Sequence, residues 1–133
     1  MLTYCSLTSE QARREALVSP ILFRVVETLN LRLNIEYPVS GKRGRGTLDY
    51  LIRGKNTLLV VEAKRDDLTR GFTQLAVEMT ELGDCYGVVT TGNIWQFAHL
   101  AGDLITQDLN LYRVPADLAD LMASLLGILD TAG

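Results

Sequence analysis

Asp49, Glu62 and Lys64 are the residues of this sequence whose types and spacing could do chemistry together. Glu62-Ala63-Lys64 closes an apolar, β-prone run, Thr57-Leu58-Leu59-Val60-Val61, which reads as a strand buried on both faces. Side chains alternate along a strand, so Glu62 and Lys64 share a face. A second β-prone run, Thr47 to Arg53, precedes it across the turn signal Gly54-Lys55-Asn56. A hairpin turning about Lys55-Asn56 sets Asp49 opposite Glu62 on that same face, and a one-residue shift of the turn would lose the alignment. Two carboxylates that close repel, and burying them without a partner is costly. A divalent cation removes that penalty. Hard oxygen donors suit Mg²⁺ or Mn²⁺, which accept one or two carboxylates and keep waters for a phosphate. Asp49, Glu62 and the Ala63 carbonyl are the expected metal ligands, with Lys64 as the expected group that orients or stabilises a hydroxide. Hydrolysis of a phosphodiester would use all of them.

The elements that must position these groups follow from periodicity. Helical spacing runs from about Ser9 to Leu31, with Ser9 as a cap and a break at Ser19-Pro20 where a second helix can begin. Leu33 to Tyr37 reads as a short strand, followed by Gly41-Lys42-Arg43-Gly44-Arg45-Gly46 as a basic glycine loop. That loop has two readings: a solvated tether, or a patch in which Lys42, Arg43 and Arg45 bind nucleic-acid phosphates next to the strand carrying Asp49. After the hairpin, Leu68 to Leu82 is a helix with Leu68, Phe72, Leu75, Ala76, Met79 and Leu82 on one face and Gly83 as its stop. Cys85 to Thr91 and Ile94 to Leu100 are strands joined by Gly92-Asn93, and another strand is expected near Asn110 to Val114. Ala116 to Leu129 closes the chain as a helix. Its face of Leu118, Leu121, Met122, Leu125, Leu126, Ile128 and Leu129 is wider than packing on one sheet requires, which predicts an interface and a two-fold homodimer. Together these elements predict an α/β fold with a mixed central sheet flanked by helices, in one domain spanning residues 1–133.

Composition bounds the function classes. A net charge of −3 and a pI near 5.1 exclude a protein that coats nucleic acid by bulk electrostatics, but not an enzyme with a local basic patch. No apolar run reaches the roughly 18 residues of a membrane span, and MLTYCSLTSE lacks the features of a signal peptide, so a cytoplasmic, membrane-free protein is expected. Cys5 and Cys85 lack metal-ligand spacing and read as packing residues. His99 is the single histidine, which weighs against a Ser/His/Asp triad or a histidine-rich zinc site and reads as structural. No P-loop order is present.

Asp49, twelve intervening residues, Glu62-Ala63-Lys64 on an apolar strand and a helix containing Gln74-Leu75 together resemble the PD-(D/E)XK nuclease superfamily. Val60 to Leu100 is most similar to the N-terminal nuclease domains of type I restriction subunits, where an E-x-K strand, a Q-L helix, an apolar strand, a turn and a Trp follow in that order, here ending at Trp95. The resemblance implies a restriction-endonuclease-like fold and a Mg²⁺- or Mn²⁺-dependent endonuclease acting on nucleic acid, with DNA as the family-weighted substrate. Leu48 stands where the motif has its proline. The resemblance also brings Gln74 to the site, although its place on the helical wheel is equally that of a surface glutamine. It further implies a carboxylate from the first helix, for which Glu15 is the candidate and Glu10 and Glu27 are rivals. The alternative function is a nuclease-like fold that binds nucleic acid or a protein without cutting.

Overall fold

A computed structural model of the chain describes residues 10–41 and 44–130. A short helix, α1 (Glu10–Arg13), runs through a π-helical turn (Arg14–Val18) into α2 (Ser19–Leu29). The wide turn explains how Pro20 is tolerated. Proline lacks an N–H and its ring clashes with the carbonyl four residues back, and a π turn relieves both. The break expected at Ser19-Pro20 is therefore a change of helix type within one continuous segment. Ser19 does not cap a new helix: its hydroxyl pairs with the Tyr50 hydroxyl at 2.6 Å.

The strands are β1 (Leu33–Gly41), β2 (Gly44–Arg53), β3 (Leu58–Ala63), β4 (Cys85–Thr90), β5 (Ile94–Ala101), β6 (Leu104–Gln107) and β7 (Tyr112–Arg113). They form one mixed sheet in the order β1-β2-β3-β4-β5-β6, with β7 on β5. Neighbours are antiparallel except β3 and β4, which are parallel and joined by the crossover helix α3 (Leu68–Leu82). The β2–β3 register pairs Tyr50 with Val61, Leu51 with Val60 and Ile52 with Leu59. This is the register that carries Asp49 to Glu62. In β1–β2, Val39 pairs with Gly46 and Gly41 with Gly44, so most of the expected glycine loop is the end of a long hairpin. Ladder bonds need no side chain, and glycine can make them.

Two cores lie on opposite faces of the sheet. On one face α2 and α4 (Leu118–Asp130) bury Leu22, Val25, Leu121, Leu125 and Leu129 against Tyr50, Ile52, Leu59, Val61 and Trp95. On the other, α3 buries Leu75 and Met79 against Leu51, Val60 and Val89. Met122, Leu126 and Ile128 also pack onto the first core, leaving Leu118 as the exposed large apolar side chain of α4. The face from which a homodimer was expected is thus largely used within the fold. No helix among the described residues is long and apolar enough to cross a membrane.

Candidate metal and phosphodiester site

The site forms where the α3-side core runs out at the end of β3. Glu62 alternates with Val61 and so shares with Val60 the face that α3 covers, where it is 1% exposed. The β2–β3 ladder ends at Tyr50–Val61, and beyond it the Asp49 side chain takes over: its Oδ2 accepts the Ala63 N–H at 2.8 Å. The next amide, Lys64 N–H, crosses to β4 and donates to the Thr90 carbonyl at 2.8 Å. Ala63 and Lys64 are therefore fixed through their amides, one on the Asp49 side chain of β2 and the other on the Thr90 carbonyl of β4. Lys64 Nζ donates to Gln74 Oε1 at 2.7 Å, which brings α3 into the site. The helix lies close here because residue 71 is glycine. A Cβ at Gly71 would sit 2.6 Å from Val89 Cγ2 and 2.8 Å from Lys64 Cγ, so the lysine stem occupies space that any other residue would claim.

One turn beyond Gln74, α3 presents Glu78, itself buried. Glu62 and Glu78 each hold a carboxylate oxygen, Oε2 and Oε1 respectively, that is buried without a hydrogen-bond partner. Burial, followed by the facing Asp49 and Glu78, pushes Glu62 far above the ordinary carboxylate range. Burial is also the main cause of the upward shift of Glu78, opposed by hydrogen bonding with Glu62 and Gln74 and by the charge of Lys64, with Asp49 adding to it. The pair retains a proton at pH values where exposed glutamates have lost theirs. Such a pocket wants positive charge.

The donor set fits a hard divalent cation. Glu62 with its unsatisfied oxygen, Asp49 beside it and the Ala63 carbonyl are hard donors that leave room for the waters Mg²⁺ keeps. Among the described residues no three His, Cys, Asp or Glu side chains form a ready-made metal cage, so the remaining positions would fall to backbone and water.

The structure brings together Asp49, Glu62, Ala63, Lys64 and Gln74 and leaves other expected residues elsewhere. Glu15 is exposed, with Gln11 Nε2 donating to its Oε1 at 3.4 Å, and Glu27 is exposed as well. The side chain that the first helical segment sends to the site is the neighbouring Arg14, whose Nη1 lies 3.6 Å from Asp49 Oδ1. Sequence reasoning missed Arg14 and Glu78. The i,i+4 spacing of Gln74 and Glu78 was the available signal for the second; for the first, helical phase across the π turn decides, and the sequence does not display it. Lys42 and Arg43 lie outside the described residues, and only the backbone of Arg45 is described, paired with Ser40. His99 stacks on Tyr86 at 4.2 Å, a packing role. Burial, with a smaller contribution from Asp84, raises the Cys85 thiol to about 11, in keeping with an inert packing residue.

A seven-stranded mixed sheet flanked by helices, with one parallel pair bridged by a crossover helix, is a restriction-endonuclease-like fold. The chain superimposes on the type IIG restriction endonuclease BpuSI with a TM-score of 0.65 and 16% identity, over 93% of this chain and 17% of that one. In sequence it is similar to Crinkler effector protein 5 of Phytophthora infestans, 29% identical over 113 residues, covering 77% of this chain and 32% of the relative. The chain thus spans about a third of that curated relative. No protein-family model matches it.

Proposed function

We propose that this chain is a metal-dependent nuclease of the PD-(D/E)XK type that hydrolyses phosphodiester bonds, with DNA as the favoured substrate. The observation that carries this reading is the unpartnered, buried oxygen of Glu62 beside Asp49, with Lys64 oriented by Gln74 on the same strand end. Asp49, Glu62 and the Ala63 carbonyl would hold Mg²⁺ or Mn²⁺, which when bound supplies an acidified water and neutralises charge on the phosphate. Asp49 is kept in place by the Ala63 amide on Oδ2, which leaves Oδ1, 3.6 Å from Arg14 Nη1, as the oxygen that would turn to a cation. The Lys64 ammonium, anchored on Gln74 Oε1, faces the same strand end and stabilises negative charge developing there. The fold likeness to a restriction endonuclease supports this reading.

The test is incubation with plasmid, single-stranded, branched and RNA substrates in Mg²⁺ and in Mn²⁺. Wild-type protein is expected to cleave at least one of them in a divalent-dependent way. Lys64→Ala should lower the rate by about 10²-fold or more, with the fold and metal affinity retained. Cleavage at the wild-type rate in Lys64→Ala removes the lysine's role, and binding of nucleic acid with no cleavage under any condition favours a binding module on a nuclease fold.

A further inference from the structure

Arg14 occupies an unusual position. It opens the π-helical turn and reaches over the Tyr50 ring, its guanidinium carbon 5.2 Å from the centroid. There it lies between two carboxylates, Asp49 Oδ1 at 3.6 Å and Glu36 Oε1 at 3.7 Å, both longer than a hydrogen bond. Its Nε is buried without a partner. Burial works against its charge, but Tyr50, Asp49 and Glu36 outweigh that and raise its pKa further. A guanidinium has five donors in a rigid fork suited to carboxylate or phosphate. This one is held by Tyr50 and by two loose ion pairs, and its Nε is unused.

Glu36 contributes to that arrangement. It falls in the β1–β2 ladder between the pairs Ile35–Tyr50 and Tyr37–Leu48, which places it opposite Asp49, yet it makes no ladder pair and has φ of 54°, a left-handed conformation that a glutamate rarely adopts. The local kink sets its carboxylate beside Arg14 on the solvent side, with Glu36 68% exposed and Asp49 15%. Arg14, 16% exposed, therefore lies between the exposed carboxylate of Glu36 and the carboxylate that would carry the metal.

We infer that Arg14 is a phosphate-binding residue of the site, taking a non-bridging oxygen of the phosphodiester while the cation takes Asp49. The inference rests on the nuclease reading above and adds a sign to it. Without substrate, the guanidinium and a divalent cation compete for Asp49 and repel one another. With a phosphate between them, the repulsion becomes a bridge. Metal and substrate then bind cooperatively, and the coupling is reciprocal. A residue that merely positioned Asp49 would have the opposite effect on the metal, because its loss would loosen the ligand.

Two titrations test this: Mn²⁺ into DNA-free protein by calorimetry, and a labelled short DNA duplex by anisotropy in Ca²⁺ and in EDTA. Arg14→Met should bind Mn²⁺ more tightly, by about tenfold. The same variant should bind the duplex in Ca²⁺ about tenfold more weakly, with the gain from Ca²⁺ largely lost. Glu36→Gln alters an exposed side chain and serves if Arg14→Met fails to fold. It leaves Arg14 to Asp49 alone and should weaken Mn²⁺ binding severalfold. Weaker Mn²⁺ binding in Arg14→Met, or unchanged duplex affinity, overturns the inference; if that variant does not fold, unchanged Mn²⁺ affinity in Glu36→Gln does so. In each case the nuclease reading stands as long as wild-type Mn²⁺ binding is lost in Glu62→Gln. Wild-type protein that shows no Glu62-dependent Mn²⁺ binding overturns both.

Discussion

The two faces of the sheet are buried to a similar degree and satisfied very differently. Under α2 and α4 the interior is apolar side chains, with Leu121, Leu125 and Leu129 fully buried, and burial alone stabilises it. Under α3 the apolar layer of Leu75, Met79 and Val60 stops at Glu62 and Glu78, two buried acids with oxygens that no protein donor satisfies. Acidic side chains at that depth are destabilising in the absence of a proton or a cation. One face therefore holds the fold together, and the other gives up stability to create a place where positive charge is wanted.

Mutations on the two faces should act with opposite signs. The largest effect is expected from Leu125→Ala, which opens a cavity in the apolar face and should cost about 2–5 kcal/mol in chemical denaturation. Glu62→Gln should instead stabilise the metal-free protein at neutral pH, because the amide cannot charge. The linkage is direct. Glu62 and Glu78 titrate above their ordinary value of 4.5 in the folded chain, so the folded state binds more protons than the unfolded state. The stability of the metal-free protein should thus be greatest near or below pH 4.5, as far as these two groups are concerned, and fall as pH rises from there through neutrality. Melting temperatures measured against pH in EDTA check this, and Glu62→Gln should flatten the slope. An equal slope in wild type and variant would place the buried charge elsewhere.

A smaller effect is expected at the contact between helix and site. Gly71→Ala puts a methyl group where Lys64 Cγ and Val89 Cγ2 now lie, and displacing the lysine should lower cleavage by about tenfold or more with little change in Mn²⁺ affinity. Loss of Mn²⁺ binding in that variant would mean that the helix supports the carboxylates and not only the lysine.

The contrast between the faces also explains what the sequence could reveal. The hairpin register was legible because Gly54-Lys55-Asn56 gives the turn a fixed place and the apolar run after it cannot slip without exposing itself. The same holds for α3, whose apolar stripe and stop at Gly83 gave bounds that match the structure. Edge strand β6 was missed because Leu104–Gln107 is mostly exposed and carries no alternating pattern. β1 runs on through Pro38 to Gly41, past the Tyr37 limit, because an outer strand tolerates proline. The width of the apolar stripe on α4 was read correctly, but a core between two helices and a sheet absorbs more of it than a core against a sheet alone. Within the site, Glu62 and Lys64 were legible because strand alternation sets them on one face, and Asp49 because the hairpin register runs on to Glu62. Arg14 and Glu78 were not, since a charged residue on an amphipathic helix looks the same whether it faces water or a buried acid. Glu15, the carboxylate expected from the first helix ahead of Glu10 and Glu27, is exposed, and nothing in the sequence marks the π turn that sends Arg14 to the site.

Whether the acidic end of the α3 face is a cation site is tested most directly by calorimetric titration of Mn²⁺ into wild-type, Asp49→Asn and Glu62→Gln proteins at neutral pH. A single Mn²⁺ bound by the wild type, accompanied by proton release and lost in both variants, is the expected result. Binding that persists unchanged in both variants, or wild-type protein that binds no Mn²⁺ at millimolar concentration, would contradict it.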